Sequence, residues 1–190
     1  EQLRNEFIQA DIEPHSIVSA FSFPSFIGDN FRNKGELGGG AVWDLGPYAV
    51  SIGRIVFQTP MQSVSAVLTS THPRTGVNTG FTLLAAYPKG RAVVGHFGFD
   101  TEYRNSALVM GPGMNVEIDR IFTTPYDFGN TLKLQCSGVV SEKDVPPCNA
   151  PVMFLRDVVA AINDKAWGKY SEALLDDAVA MDSFCKALGI

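Results

Sequence analysis

Cysteine, histidine and long apolar runs are all scarce in this sequence. Its three cysteines, Cys136, Cys148 and Cys185, are odd in number, widely spaced and form no C-x-x-C pair. That excludes a disulfide framework and a cysteine-based zinc site, and it fits a reducing, cytoplasmic setting. The three histidines, His15, His72 and His96, are scattered, so no metal site is expected. Charged residues make up 18% of the chain, the net charge is −5, and Lys and Arg form no block. Nucleic-acid binding needs a basic footprint, so neither a nucleic acid nor an anionic membrane surface is an expected partner. The most apolar stretch, 41–57, carries Asp44, Pro47 and Arg54. It falls short of the ~20 apolar residues that span a bilayer. No G-x-x-x-x-G-K-[S/T] and no G-x-S-x-G is present, which removes a P-loop and a nucleophile elbow. Gly111-Pro112-Gly113-Met114-Asn115-Val116 imitates a dinucleotide fingerprint. It has Val116 where the third glycine belongs and lies between two strands, so it reads as a hairpin turn.

What is present is ordinary globular material: 190 residues, 45% of them hydrophobic, enough for one domain with a sizeable core. Leu3, Phe7 and Ile8 recur at helical spacing over 1–10, but no residue precedes them to cap that helix. A helix cut at its first turn reads as a piece of a longer protein. A strand is expected at 16–23, ended by Pro24, followed by a glycine-rich loop at 25–40. A helix over 41–57 is expected to kink or start late at Pro47. From residue 62 the apolar period falls to two. Strands are expected at 63–70, 80–87, 91–99, 106–110, 115–121 and 131–136, joined by short turns such as Pro88-Lys89-Gly90. Short connections imply antiparallel pairing. Two helices, 150–165 and 171–188, close the chain. Their inward stripes are read as Val152, Leu155, Val159 and Ile162, then Leu174, Leu175, Ala178, Met181 and Cys185. The fold class is therefore α+β: an open, mostly antiparallel sheet with helices packed on one face. Phe81, Leu83, Val93, Phe97 and Phe99 are too many large apolar residues for a solvated face. They point to a partner surface on the sheet.

One segment concentrates chemistry: Gly38-Gly39-Gly40-Ala41-Val42-Trp43-Asp44-Leu45-Gly46-Pro47-Tyr48. Glycines before a helix let a backbone approach a ligand closely, and the helix start offers free N–H groups. Asp44 and Tyr48 stand four apart, so a carboxylate and a phenol share one helix face, a plausible proton-transfer pair. The plainer reading is a tight turn, a solvated Asp and a Tyr anchored in the core. Arg32 and Lys34, just upstream, carry charge that suits phosphate or sugar hydroxyls.

This segment resembles the G-G-G-x-x-x-D-x-G-x-[Y/H] signature of the glucose–fructose oxidoreductase, inositol dehydrogenase and MocA family. The resemblance runs over essentially the whole chain. Asn30-Phe31-Arg32 and Arg120-Ile121-Phe122-Thr123-Thr124-Pro125 are more specifically similar to nucleotide-sugar 3-ketoreductases. The resemblance implies that 1–10 is a remnant of the interdomain helix and that 11–190 is a substrate-binding and oligomerisation domain. It implies an NAD(P)-dependent oxidoreductase acting on a sugar or nucleotide-sugar, with NAD or NADP bound mainly by a Rossmann domain absent from this chain. No E-K-P motif is present, so the isolated chain is expected to be inactive. By the same resemblance Tyr48 is the catalytic proton donor and Asp44 a substrate-binding residue, with Arg32, Lys34, Gly39 and Gly40 as further substrate contacts. Partners would be the sugar ligand, the protein's own Rossmann domain and other copies of the chain through the sheet face. The alternative is a non-catalytic sugar-binding or scaffold domain.

Overall fold

The computed structural model describes residues 1–26 and 28–190, so Ile27 of the expected 25–40 loop lies outside the described residues. The chain runs α1 (Gln2–Gln9), β1 (Ser16–Ser22), α2 (Ala41–Phe57), β2 (Ser63–Thr71), β3 (Asn78–Tyr87), β4 (Arg91–Gly98), β5 (Arg104–Gly111) and β6 (Met114–Asp119). It then continues β7 (Asn130–Cys136), β8 (Val139–Val145), α3 (Ala150–Asn163) and α4 (Gly168–Leu188). The strands form one sheet in the order β2-β3-β4-β1-β5-β6-β7-β8. Every neighbouring pair is antiparallel except β1 and β4. The Pro88–Gly90 turn joins β3 to β4 with Lys89 and Gly90 both at positive φ, the backbone that a tight hairpin needs. The glycine-rich imitation at 111–116 is the β5–β6 hairpin.

Helices cover one face of this sheet, and the large apolar side chains alternate onto it. Ile17, Phe21, Phe81, Leu83, Val93, Phe97, Val109, Val116 and Leu132 are all buried beneath them. At ~1.5–3 kcal/mol for each large side chain removed from water, this face supplies most of the driving force for folding. Phe81, Leu83, Val93, Phe97 and Phe99 therefore do not mark a free surface: they are the core. The opposite face carries a different apolar row. Leu84, Val94, Val18 and Leu108 lie side by side in register, and the first three are exposed. Period-two reasoning recognised two faces but assigned the large residues to the wrong one.

α2 lies on β3 and β4, and α4 lies on β2 and α2. Two glycines set these separations. A Cβ on Gly46 would sit 3.0 Å from Met181 Cε, and one on Gly53 would sit 2.3 Å from the Tyr87 ring. The Tyr87 hydroxyl donates to the Val50 carbonyl across the same gap, at 3.3 Å. Burial, with the Asp177 carboxylate adding to it against the opposing Arg54, pushes the Tyr87 phenol up to about 12. Arg54 ties α2 to α4 through two bonds to Asp177, 2.7 and 2.6 Å long. That hydrogen bonding holds the guanidinium above its ordinary pKa.

Several expectations are corrected here. α2 does not start late: it is helical from Ala41, with Pro47 inside it. Pro47 has no amide to give the Trp43 carbonyl, but both residues lie on the exposed side of the helix, where solvent can meet a freed acceptor. The inward stripe expected of α3 is exposed instead, with Val152, Leu155, Val159 and Ile162 all accessible, as are Leu174 and Leu175 on α4. α4 packs through Ala180, Phe184 and Cys185. β8 was absent from the sequence reading because V-V-S-E-K-D-V is exposed along nearly its whole length and carries no burial pattern. Its charges suit an edge strand, where they oppose pairing with other chains. α1 buries Leu3 and Phe7 in the common core.

Candidate active site

β1, β4 and β6 end, and β3, β5 and β7 begin, at one edge of the sheet. The loop after β1, the start of α2, the 99–103 segment and the loop after β6 all gather there. The loop after β1 folds back through two short turns at Phe31–Asn33 and Gly35–Leu37. The amides of Gly39 and Gly40 donate to the Lys34 and Arg32 carbonyls, both at 2.9 Å. A Cβ on Gly39 would lie 2.6 Å from the carbonyl oxygens of Phe31, Arg32 and Lys34. These glycines thus let the chain pack on itself, and the two amides are turned inward. At the helix start, the Asn78 side chain accepts from the Val42 amide at 2.8 Å. A partner 36 residues away on another strand left no local signal in the sequence.

Asp44 and Arg32 are brought together. Arg32 Nε donates to Asp44 Oδ2 at 2.7 Å, and the pair is mostly shielded. The Arg32 guanidinium lies over the rings of Phe26 and Phe31, 4.8 and 4.6 Å from their centroids. Lys34 is not drawn into this pair. It bonds Asp29 at 2.7 Å on the exposed side of the loop, and that hydrogen bond raises its pKa.

Tyr48 sits one turn beyond Asp44 on α2. Its ring stands edge-on to Phe21, at 5.4 Å, and to Phe122, at 5.9 Å. Phe21 and Phe122 are themselves stacked at 5.4 Å. Such aromatic contacts fix a ring's orientation as well as burying its area. Tyr48 remains 36% exposed, and among the described residues nothing hydrogen-bonds its hydroxyl. It borders a groove of about 460 Å³ that Leu3, Arg4, Ser51, Ile55 and Phe122 also line. Arg4 Nε is shielded from solvent there without a partner among the described residues. The role of Phe21 and Phe122 as a wall for Tyr48 escaped the sequence reading because Tyr48 meets them only in the folded chain.

Among the described residues there is no His, Cys, Asp and Glu cluster able to hold a metal ion, and no helix long and apolar enough to cross a membrane. Nor do the described residues form a dinucleotide cradle. Among the described residues the one parallel strand pair, β1 and β4, is not a strand–helix–strand unit, and the Gly39 and Gly40 amides are already bonded within the loop. The residues present do not fit a nicotinamide dinucleotide as a resident cofactor.

These features define a helix-backed, open-sheet α+β domain with a shielded ion pair and an aromatic-walled phenol gathered at one sheet edge. The GFO/IDH/MocA C-terminal domain model matches residues 13–118, and the chain belongs to that family. A dTDP-3,4-didehydro-2,6-dideoxy-alpha-D-glucose 3-reductase of Saccharopolyspora spinosa is 26% identical over 184 residues, covering 92% of this chain and 54% of the relative. A namesake from Streptomyces antibioticus is also 26% identical, over 80% of this chain and 46% of its own length. The chain thus spans about half the length of the curated relatives it matches. The fold is also that of a 3-ketoreductase from Actinomadura kijaniata, solved with TDP-benzene and NADP: TM-score 0.89, 20% identity, 98% of this chain and 58% of that one. An aldose-aldose oxidoreductase from Caulobacter crescentus, complexed with glycerol, gives a TM-score of 0.76 at 23% identity, over 97% of this chain and 57% of that one. The chain resembles the substrate-binding C-terminal part of an NAD(P)-dependent sugar or nucleotide-sugar oxidoreductase.

Proposed function

We propose that this chain is the substrate-holding half of an oxidoreductase that reduces a keto group on a nucleotide-linked sugar, or runs the reverse oxidation. The single observation that carries the reading is the setting of Tyr48: an accessible phenol, edge-on to two stacked phenylalanines, one turn from a paired carboxylate. The reductase relatives support the substrate class. NAD or NADP, carried by a separate Rossmann domain, would supply the hydride. Tyr48 would give its proton to the carbonyl oxygen as that oxygen gains charge, leaving the alcohol. Asp44 would keep Arg32 oriented toward the ligand and accept a sugar hydroxyl with its remaining lone pairs. Lys34 would lie at the rim, Gly39 and Gly40 would let the loop close tightly beneath the ligand, and the open-face row around Val18 and Val94 would meet another copy of the chain.

The test is Tyr48→Phe in the complete protein, assayed with NADPH and keto-sugar nucleotides. Loss of general-acid catalysis costs ~10²–10⁴ in turnover. Melting behaviour should not change, because the hydroxyl has no partner among the described residues to lose. Unchanged turnover would remove Tyr48 from the chemistry. Sugar-nucleotide binding without turnover in the wild type would instead identify a scaffold.

A further inference from the structure

Asp44 and Tyr48 both hang on the start of α2, and that start is held by a residue with no part in the chemistry so far assigned. The leading amides of a helix have no partner within it, and a side chain at the N-cap usually accepts from one of them. Gly40, the N-cap of α2, has no side chain to do so. Asn78 does it from the sheet: its Oδ1 accepts from the Val42 amide at 2.8 Å. Gly40 makes the room. A Cβ there would lie 2.8 Å from Asn78 Oδ1 and 3.0 Å from Nδ2, and its backbone stands at φ 115°, which side chains rarely adopt. Asn78 is the first residue of β3, although asparagine has little intrinsic preference for strands. The strand start is itself firm. The next residue, Thr79, is buried, its hydroxyl donates to Asp100 Oδ2 at 3.0 Å, and its carbonyl accepts from the Phe99 amide at 2.8 Å.

Gly40 passes this anchor on in two directions. Its amide donates to the Arg32 carbonyl at 2.9 Å, and its carbonyl accepts from the Asp44 amide at 3.2 Å. Tyr48 follows further along the same helix, about 9 Å beyond Val42 at ~1.5 Å per residue. Gly46 and Pro47 lie between them, and each weakens a helix, one by backbone freedom and the other by its missing amide. Burial of Ala41, Val42 and Leu45 keeps the first turn on the sheet. Apolar burial is non-directional, however, and leaves rotation and sliding of the turn unspecified. The bond to Asn78 is directional and specifies both. Resting on the ketoreductase reading above, we propose that Asn78 is a positioning residue for that reaction: by capping α2 from β3, it sets the angle and height at which Asp44 and Tyr48 meet the substrate.

The experiment measures kcat, with NADPH and keto-sugar nucleotides, and amide hydrogen exchange in the complete protein. Asn78→Leu keeps the size of the side chain and removes the acceptor. It should quicken exchange at 41–44 and lower kcat roughly 10- to 100-fold, the scale of a misplacement near 1 Å. Asn78→Asp keeps an acceptor of equal capping rank and should restore kcat to within roughly threefold of wild type. Asn149 caps α3 in the same way, accepting from the Val152 amide at 3.1 Å, on a helix that carries no site residue. Asn149→Leu should therefore loosen its own helix and leave kcat unchanged. In a Tyr48→Phe background, Asn78→Leu should cost kcat little, because the group it positions is already gone. Should Asn78→Leu fail to fold, Asn78→Ser, with its shorter side chain, carries the same comparison. Wild-type kcat in the folded Asn78 variant, or an equally large loss in the Tyr48→Phe background, overturns the assignment, while a slowed Tyr48→Phe leaves the substrate reading standing. If Tyr48→Phe turns over like wild type, that reading fails first and the assignment goes with it.

Discussion

Gly53→Ala separates local helix energetics from packing on the helix that carries Tyr48. In an isolated helix, alanine for glycine stabilises by ~1 kcal/mol. Here the new Cβ would lie 2.3 Å from both Cζ and the hydroxyl of Tyr87 and 2.6 Å from Cε2. Carbon contacts settle near ~3.5–4.0 Å, so the ring or the helix must move by more than about 1 Å. Neither moves freely. Tyr87 is 1% exposed and packs edge-on against Phe57 at 5.2 Å, while Ala49, Val50 and Ile52 hold the adjoining helix in the core. Overpacking of this kind costs ~1–3 kcal/mol, and a deep overlap belongs at the top of that range. Displacing the ring also loses the bond to the Val50 carbonyl, worth ~1 kcal/mol. After the propensity gain, the net destabilisation should be about 2–3 kcal/mol, or roughly 5–10 °C in Tm for a chain of this size. Urea denaturation of wild type, Gly53→Ala, Tyr87→Leu and the double variant measures it. The double variant should lose clearly less than the two single losses combined, because the smaller side chain vacates the space the Cβ needs. A Gly53→Ala protein about 1 kcal/mol more stable than wild type would refute the reasoning, since propensity alone would then have won.

The raised phenol of Tyr87 makes an alkaline prediction. Above pH 10 an unfolded Tyr ionises, while the folded one stays neutral until about pH 12. Up to ~2–3 kcal/mol of stability should thus drain away between those values, and Tyr87→Phe should flatten that limb in chemical denaturation at stepped pH. Arg54→Met strands Asp177 beside α2 and should cost ~1–2 kcal/mol, discounted for partial exposure; adding Asp177→Leu should recover most of it, and a thermal-melt double-mutant cycle reads this directly. Asp44→Asn should lower substrate affinity and loosen the 28–40 loop, seen as faster amide hydrogen exchange there, with a stability loss of only ~1 kcal/mol.

The candidate site was legible in part. The spacing of Asp44 and Tyr48 announced a shared helix face, and the three glycines announced a close backbone approach. What the glycines approach was not legible: it is their own chain, at the carbonyls of Phe31, Arg32 and Lys34. Nor was the split between Arg32, which turns inward to Asp44, and Lys34, which turns outward to Asp29. Two cations two residues apart look equivalent until the turns between them are folded.

Local pattern alone determined the class of this protein. A period near 3.6 gives way to a period of two and then returns, with short turns between the strands, and that order permits little besides an open antiparallel sheet backed by helices. Contacts between distant segments were decided only by tertiary structure, because no local period encodes them. They include the parallel pairing of β1 with β4 and the choice of which sheet face the helices cover. They also include the wall of Phe21 and Phe122 around Tyr48, and the cap that Asn78 places on α2. Side-chain alternation tells a strand that it has two faces. Which face becomes the core depends on where α2 and α4 come to lie, and Gly46, Gly53 and the Arg54–Asp177 pair fix that only once the chain has folded.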